Sequence, residues 1–174
     1  MAATGAEVVL TTVDPPEVHL GWNETWHLPF RWASDPAGER IAKPLDSWNA
    51  EAAIFKPIVL LVDPDGRQVY RHDSLDFADR PDDEDVLGAL ASLGLSAVPE
   101  PQGWAPEGVT PRPSERAFPP PHYAPYFRSL RFASLALAER MTCEPDREEL
   151  HRTHRMADSF LLAWPERRKR LGLP

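Results

Sequence analysis

Cys143 is the one side chain in this 174-residue chain that could act as a redox nucleophile, because it is the only cysteine. A reactive thiolate needs a positive neighbourhood or a helix N-terminus. Cys143 instead follows the predicted end of one helix and stands beside Glu144, where the field is negative. A single cysteine also cannot form an intramolecular disulfide, which is typical of a reducing compartment. We therefore expect an incidental loop cysteine and predict no catalytic residue.

His151 and His154 are the candidates for metal binding. They lie three residues apart on a predicted helix, with Glu148 and Asp158 on neighbouring turns, and such a set could hold a metal ion. The same run also has the alternating acids and bases of a solvated helix face. We favour the solvated face, because two histidines leave the ligand set incomplete. The sequence therefore predicts no metal and no cofactor.

A third candidate group surrounds His72, which ends a predicted strand in an acidic loop with Asp73, Asp76 and Asp79. Such a set could perform acid–base chemistry. No nucleophile is positioned near it, so we expect an exposed histidine.

The composition excludes several classes of function. The formal net charge is −8, which argues against a general nucleic-acid binder. No apolar run has the length of a membrane span, and the first residues lack the pattern of a signal peptide. We expect a soluble, cytoplasmic protein whose partners are another protein or a second copy of itself.

The elements that must position these residues follow an α/β order in the first half of the chain. A proline directly precedes the apolar run Ile58–Val62, which reads as a central strand covered on both faces. The other predicted elements are a strand at Glu7–Val13, a helix at Pro15–Leu28, a strand at 30–33, a short helix from Ser34 to about Leu45, a strand at Arg67–His72 after an Asp-Pro-Asp-Gly turn, and a helix opening at Arg80–Asp83 and ending at Leu93.

The second half of the chain differs in composition and in predicted secondary structure. Prolines are concentrated between Ala97 and Pro125, which predicts an extended linker with Trp104, Phe118 and Tyr123 as anchors. Two amphipathic helices follow, at Pro125–Met141 and from Asp146 to about Arg170, and the short loop between them predicts a helical hairpin. We predict an α/β domain at 1–96, a linker at 97–124 and a hairpin at 125–174. The expected inward faces are Tyr126, Leu130, Ala133/Ser134, Leu137 and Met141 on the first helix, and Leu150, Met156, Phe160, Leu161 and Trp164 on the second.

Four segments in sequence, AEVVLTTVDPPEV, FRWASDPAGERIAKPL, FKPIVLLVDPDGRQVYRH and DFADRPDDEDVLGAL, resemble peroxiredoxin-like redoxins of the alkyl hydroperoxide reductase/thiol-specific antioxidant group. The resemblance covers roughly 6–95. It implies a partial thioredoxin-like fold, followed here by the helical hairpin. It also implies that Pro57 corresponds to the cis-proline beside the active cysteine, which makes Lys56, Pro57 and Ile58 the residues facing that site and gives Lys56–Pro57 an expected cis bond.

The chain departs from the family at two points. The strand and helix that carry the family's reactive cysteine would precede Glu7. Ile58 stands after the proline where the family commonly has threonine. The resemblance therefore implies a thiol-dependent peroxide or disulfide reductase that is inactive on these residues alone. The alternative is a non-enzymatic assembly module, in which Trp22, Trp26, Trp32 and Trp48 either pack in the core or form an exposed patch for a partner.

Overall fold

The computed structural model describes residues 5–75, 79–98, 104–114 and 117–173, which form a mixed α/β protein. The chain divides into two compact units. Met1–Glu24 and Leu28–Ser114 form the α/β unit, and Thr25–His27 and Glu115–Pro174 form the helical unit. The boundary between the units therefore falls inside the predicted linker, and the described residues 104–114 belong to the α/β unit. No helix in the described ranges is both long enough and apolar enough to cross a membrane.

The α/β unit begins with a βαβ motif. Strand β1 (Val9–Thr12) is followed by helix α1 (Pro16–Trp26) and by strand β2 (Arg31–Ser34), which pairs with β1 in parallel. Pro16 opens α1, where its missing N–H costs no hydrogen bond. These elements confirm the strand–helix–strand order predicted for the start of the chain.

Two antiparallel pairs follow. Strands β3 (Trp48–Asn49) and β4 (Ile54–Phe55) pair with each other, as do β5 (Ile58–Val62) and β6 (Gln68–Asp73). Among the described residues the six strands thus form three separate two-stranded sheets rather than one. The predicted hairpin is confirmed. The prediction that β5 is a central strand is wrong among the described residues, because β6 is its one described partner. Its faces are also incompletely covered, since Ile58 to Leu61 are half-buried and Val62 is 51% exposed.

Helix α2 (Asp83–Ser92) ends the regular structure of this unit as the sequence predicted. The Asp82 carboxylate caps it by accepting from the Glu84 N–H at 2.8 Å. Gly94 follows the helix at φ +61°, a conformation that glycine adopts without strain. Val86 and Leu90, four residues apart, form its buried face.

The short helix predicted from Ser34 to about Leu45 is wrong, because residues 36–46 form consecutive turns. Asp35, only 2% exposed, explains the difference. Its carboxylate accepts from the N–H groups of Arg40 (3.3 Å), Ile41 (2.7 Å) and Ala42 (3.1 Å), which folds the loop around a side chain. Burial alone would raise the pKa of Asp35, but these three donors outweigh burial and the pKa is lowered.

The helical unit contains helices α3 (Tyr123–Ala138) and α4 (Glu144–Arg170), which confirm the predicted C-terminal pair. The faces predicted to be buried are partly wrong. On α3 the prediction is confirmed at Ser134, which is buried, and wrong at Tyr126 and Leu137, which are 41% and 48% exposed; Ala138 is buried as well.

On α4 the buried residues are Thr153, Ala157 and Trp164. The prediction is therefore confirmed at Trp164, whereas two small residues are buried and the predicted Phe160 is 38% exposed. The Thr153 hydroxyl donates to the Glu149 carbonyl at 3.0 Å, and the Ser134 hydroxyl donates to the Leu130 carbonyl at 2.8 Å. Each buried hydroxyl therefore has an acceptor within its own helix, and small side chains allow a close helix approach.

We predict that Asp35→Asn lowers the free energy of unfolding by about 1–3 kcal/mol, because the amide cannot provide two charged acceptors for three N–H groups. Urea unfolding followed by circular dichroism measures this. Asp65→Asn, in the exposed turn between β5 and β6, is the matched control and should change stability by less than about 0.5 kcal/mol. Equal effects of the two substitutions would show that the loop does not depend on Asp35.

Candidate functional site

The outer edge of β5 is the candidate binding site in the α/β unit. Backbone groups of an antiparallel strand point alternately toward and away from its partner. The Pro57 carbonyl accepts from the Ser74 N–H at 3.0 Å, so odd-numbered residues of β5 point toward β6. The N–H and C=O groups of Ile58, Leu60 and Val62 therefore point to the other edge. No described backbone group bonds them there.

Lys56, Pro57 and Ile58 stand at the beginning of this edge. Lys56 and Pro57 are exposed and Ile58 is half-buried. The Lys56–Pro57 peptide bond is trans, as are the other described peptide bonds, so the expected cis bond is absent. The Lys56 N–H donates to the Ser47 carbonyl at 2.6 Å, and trans is the lower-energy isomer before proline by about 0.5–1 kcal/mol.

A buried polar cluster that the sequence did not single out lies where β1 meets α1. His19 is 1% exposed, and its ring stacks on Trp32 with centroids 4.7 Å apart. The His19 Nε2 atom lies 2.8 Å from the Thr12 hydroxyl, which also donates to the Asp14 carboxylate at 3.3 Å. His19 Nδ1 is buried without a hydrogen-bond partner among the described residues.

Burial is the dominant influence on His19 and lowers its pKa, although the nearby carboxylates of Asp14 and Glu17 act in the opposite direction. Burial therefore favours the neutral ring. One signal in the sequence could have revealed it. His19 stands in the sequence between two apolar residues, Val18 and Leu20, both of which are buried.

Cys143 is exposed, and the structure places it at the N-cap of α4 rather than only behind the end of α3. The prediction that it stands in the field of a helix C-terminus is therefore wrong, because α3 ends at Ala138 and α4 begins directly after the cysteine. Its side chain makes no capping hydrogen bond. Glu144 forms an ion pair with Arg147 within the first turn of α4.

His151 and His154 are not brought together with other ligands. Within the described ranges no three histidine, cysteine or acidic side chains are placed to hold a metal ion. The His154 Nδ1 atom lies 3.0 Å from the Arg131 carbonyl, so this ring links α4 to α3. The two carboxylates named with them have structural partners as well, because Asp158 pairs with Arg131 at 2.9 Å and Glu148 pairs with Arg155 at 3.1 Å.

The acidic loop around His72 is partly described. His72 Nε2 lies 3.4 Å from an Asp79 carboxylate oxygen, with both side chains mostly buried. Asp73 instead accepts two hydrogen bonds from Arg71, and these lower its pKa. Asp76 lies outside the described residues. The expectation that His72 is simply exposed is wrong, since its side chain is 25% exposed.

The tryptophans predicted either to pack in the core or to form one exposed patch have separate packing roles. Trp32 covers His19, with its indole N–H donating to Asn23 at 2.6 Å, and Trp48 packs edge-on against Phe55. Trp26 is 7% exposed. These contacts agree with core packing.

The predicted aromatic anchors of the linker also find partners. Trp104 lies 6.3 Å from His19, and Phe118 packs edge-on against Tyr126 at 5.2 Å. Tyr123 stacks on Trp164 at 4.4 Å.

Comparisons with protein-family models, with curated proteins and with solved structures give no match to this chain.

We predict that stability falls as the pH is lowered through about 6.5, because unfolded His19 binds a proton at its ordinary pKa while folded His19 resists it. The unfolded state then holds more protons, so the free energy of unfolding rises with pH in this window, by at most about 1.4 kcal/mol per unit for one proton. Asp35, with its lowered pKa, acts in the same direction but below about pH 4.

Urea unfolding at pH 7.5, 6.5 and 5.5 measures this slope. His19→Gln should flatten it. The control His151→Gln changes a half-buried histidine for which the described residues offer no hydrogen bond, and should retain the slope. A slope that survives in His19→Gln would assign the effect to another group.

Proposed function

We propose that this protein is a redoxin-like protein with a partial thioredoxin-like fold that works as a non-enzymatic assembly module, and that it is inactive as a thiol-dependent peroxide or disulfide reductase on these residues alone. The βαβ motif, the β5–β6 hairpin and the following α2 are consistent with the order of elements that the resemblance implies. The observation that carries the proposal is the outer edge of β5, which pairs with no strand in the described part of the chain.

The occupant that we propose for this edge is β5 of a second copy. The strand sequence Ile-Val-Leu-Leu-Val has no charge and no proline, so nothing within it blocks pairing with another strand. Two antiparallel copies centred on Leu60 would bring the free groups of Ile58 opposite those of Val62. The same residues then serve on both sides, as a two-fold interface requires.

Burial of the apolar side chains of β5 would stabilise the dimer in addition to the backbone hydrogen bonds. Val62 is 51% exposed, and Ile58 to Leu61 are half-buried. Covering apolar surface gains about 25 cal/mol per Å². Association also satisfies backbone groups that otherwise bond to water, a smaller net gain of about 0.5–1.5 kcal/mol for each bond.

We predict that the chain forms a concentration-dependent dimer, measured by size-exclusion chromatography with light scattering. Leu60→Pro removes an N–H at the outer edge but no bond to β6, and should shift the protein to monomer. The control Leu60→Ala loses more side chain but keeps the N–H, so it should still dimerise. Hydrogen exchange should show the Leu60 amide more protected at high protein concentration. A monomer at every concentration, with free exchange at Leu60, would refute the proposal.

A second candidate, thiol chemistry at Cys143, is favoured by its exposed position at the N-cap of α4. The assembly proposal expects no hydrogen peroxide consumption with dithiothreitol as reductant. Peroxide turnover that disappears in Cys143→Ser would establish thiol chemistry at Cys143. It would also reject the proposal that the protein works only as an assembly module. Turnover unchanged by this substitution would point to a contaminant.

A further inference from the structure

A cleft of about 360 Å³ opens at one end of the α3–α4 pair, within the helical unit. Three arginines and an apolar wall line it, namely Arg128, Arg131 and Arg168 beside Leu161, Trp164 and Pro165. We propose that this cleft binds a small organic phosphate, with the phosphate held by arginines and its apolar part against Leu161 and Trp164. This site is independent of the β5 edge.

The three arginines differ in their availability. Arg131 is occupied, because its guanidinium pairs with Asp158 at 2.9 Å and lies 4.8 Å over the Phe132 ring. Arg128 and Arg168 are exposed, and neither has an ion pair or hydrogen bond with the residues that the structure describes. The cleft therefore offers two uncompensated guanidinium groups and a third that is held in place at its wall.

Trp164 is the well-packed part of the apolar wall. It is 9% exposed, and its ring stacks on Tyr123 with centroids 4.4 Å apart and planes 17° apart. The nearby Pro165 lies inside α4 and has no N–H, so the Leu161 carbonyl lacks its usual donor one turn later. Burial and stacking hold the Trp164 ring in place before a ligand binds, which reduces the entropy lost in forming the complex.

The local charge opposes that of the whole chain. The last turn of α4 carries Arg167, Arg168, Lys169 and Arg170, whereas the chain as a whole has a formal charge of −8. A helix C-terminus carries about −0.5 charge and an N-terminus about +0.5. Ala124 in the first turn of α3 and Arg168 in the last turns of α4 both line the cleft, so these partial charges nearly cancel there. The full positive charges of the arginines therefore make the electrostatic potential in the cleft positive.

The chemistry of the lining selects the ligand class. Guanidinium groups bind phosphate oxygens through paired, charge-assisted hydrogen bonds. Two free guanidinium groups match the double charge of a phosphomonoester better than the single charge of a carboxylate. The volume is near the lower end of small-molecule sites, about 300–1,000 Å³, which restricts the ligand to a small apolar body.

The test is a titration of the full chain with phenyl phosphate, followed by ¹⁵N NMR of the Ala124 and Leu161 amides and the Trp164 indole. We expect a Kd of about 1 mM at low salt, weakening as salt screens the charges. Arg128→Gln and Arg168→Gln should each weaken binding about tenfold, the loss of a charged hydrogen bond. Arg140→Gln is the matched control, since Arg140 is an exposed arginine just beyond the other end of α3 and has no described ion pair.

Two comparison ligands separate the parts of the site. Benzyl alcohol has the ring without the charge, and inorganic phosphate has the charge without the ring, so both should bind more weakly than phenyl phosphate. Equal loss of affinity in Arg140→Gln would mean general charge attraction and would overturn the site. Benzyl alcohol binding as tightly as phenyl phosphate would overturn phosphate recognition. Inorganic phosphate binding as tightly would overturn the apolar contact.

Discussion

The division of the strands into two-stranded sheets is the constraint on which the rest of the α/β unit depends. In a single sheet, each central strand would form hydrogen bonds on both edges and the sheet would offer one continuous surface for the core. The described strands instead form three separate pairs. A two-stranded hairpin alone is marginally stable in water. The unit must therefore be held together by side chains that reach between its pairs and loops.

Buried polar side chains provide these connections. Asp35 gathers three amides of the 36–46 loop, and the Ser34 hydroxyl just before it donates to the Asp14 carbonyl at 2.7 Å. Arg71 of β6 reaches the Leu45 carbonyl of the same loop at 2.8 Å. His19 stacks on Trp32 and bonds to Thr12, so it ties α1 to both parallel strands. Because polar groups are costly to leave unpaired in a buried site, each connection specifies one arrangement.

The helical unit is held together by a different kind of contact. Its helices meet through small residues at one end and through stacked aromatic rings at the other, where Tyr123, Trp164 and Trp26 pack together. The Arg167 guanidinium donates to the Trp26 carbonyl, so even the charged last turn of α4 has a structural role. Arg128 and Arg168, by contrast, form no ion pair or hydrogen bond with the described residues. Their guanidinium groups are therefore available to a ligand in the cleft that they line.

The sequence by itself determined the local elements, because strand and helix periodicity, the Asp-Pro-Asp-Gly turn, the Asp82 cap and the Gly94 stop act over a few residues. The sequence already placed Ser134 and Trp164 on the buried faces of their helices, but only tertiary structure decided that Ala138, Thr153 and Ala157 are buried while the larger Leu137 and Phe160 stay partly exposed. It also decided that residues 36–46 form a loop around Asp35 and not the predicted short helix, and it brought Arg128 to the same cleft as Arg168, 40 positions along the chain. Contacts between distant residues depend on how elements pack, and short-range patterns carry no information about that packing.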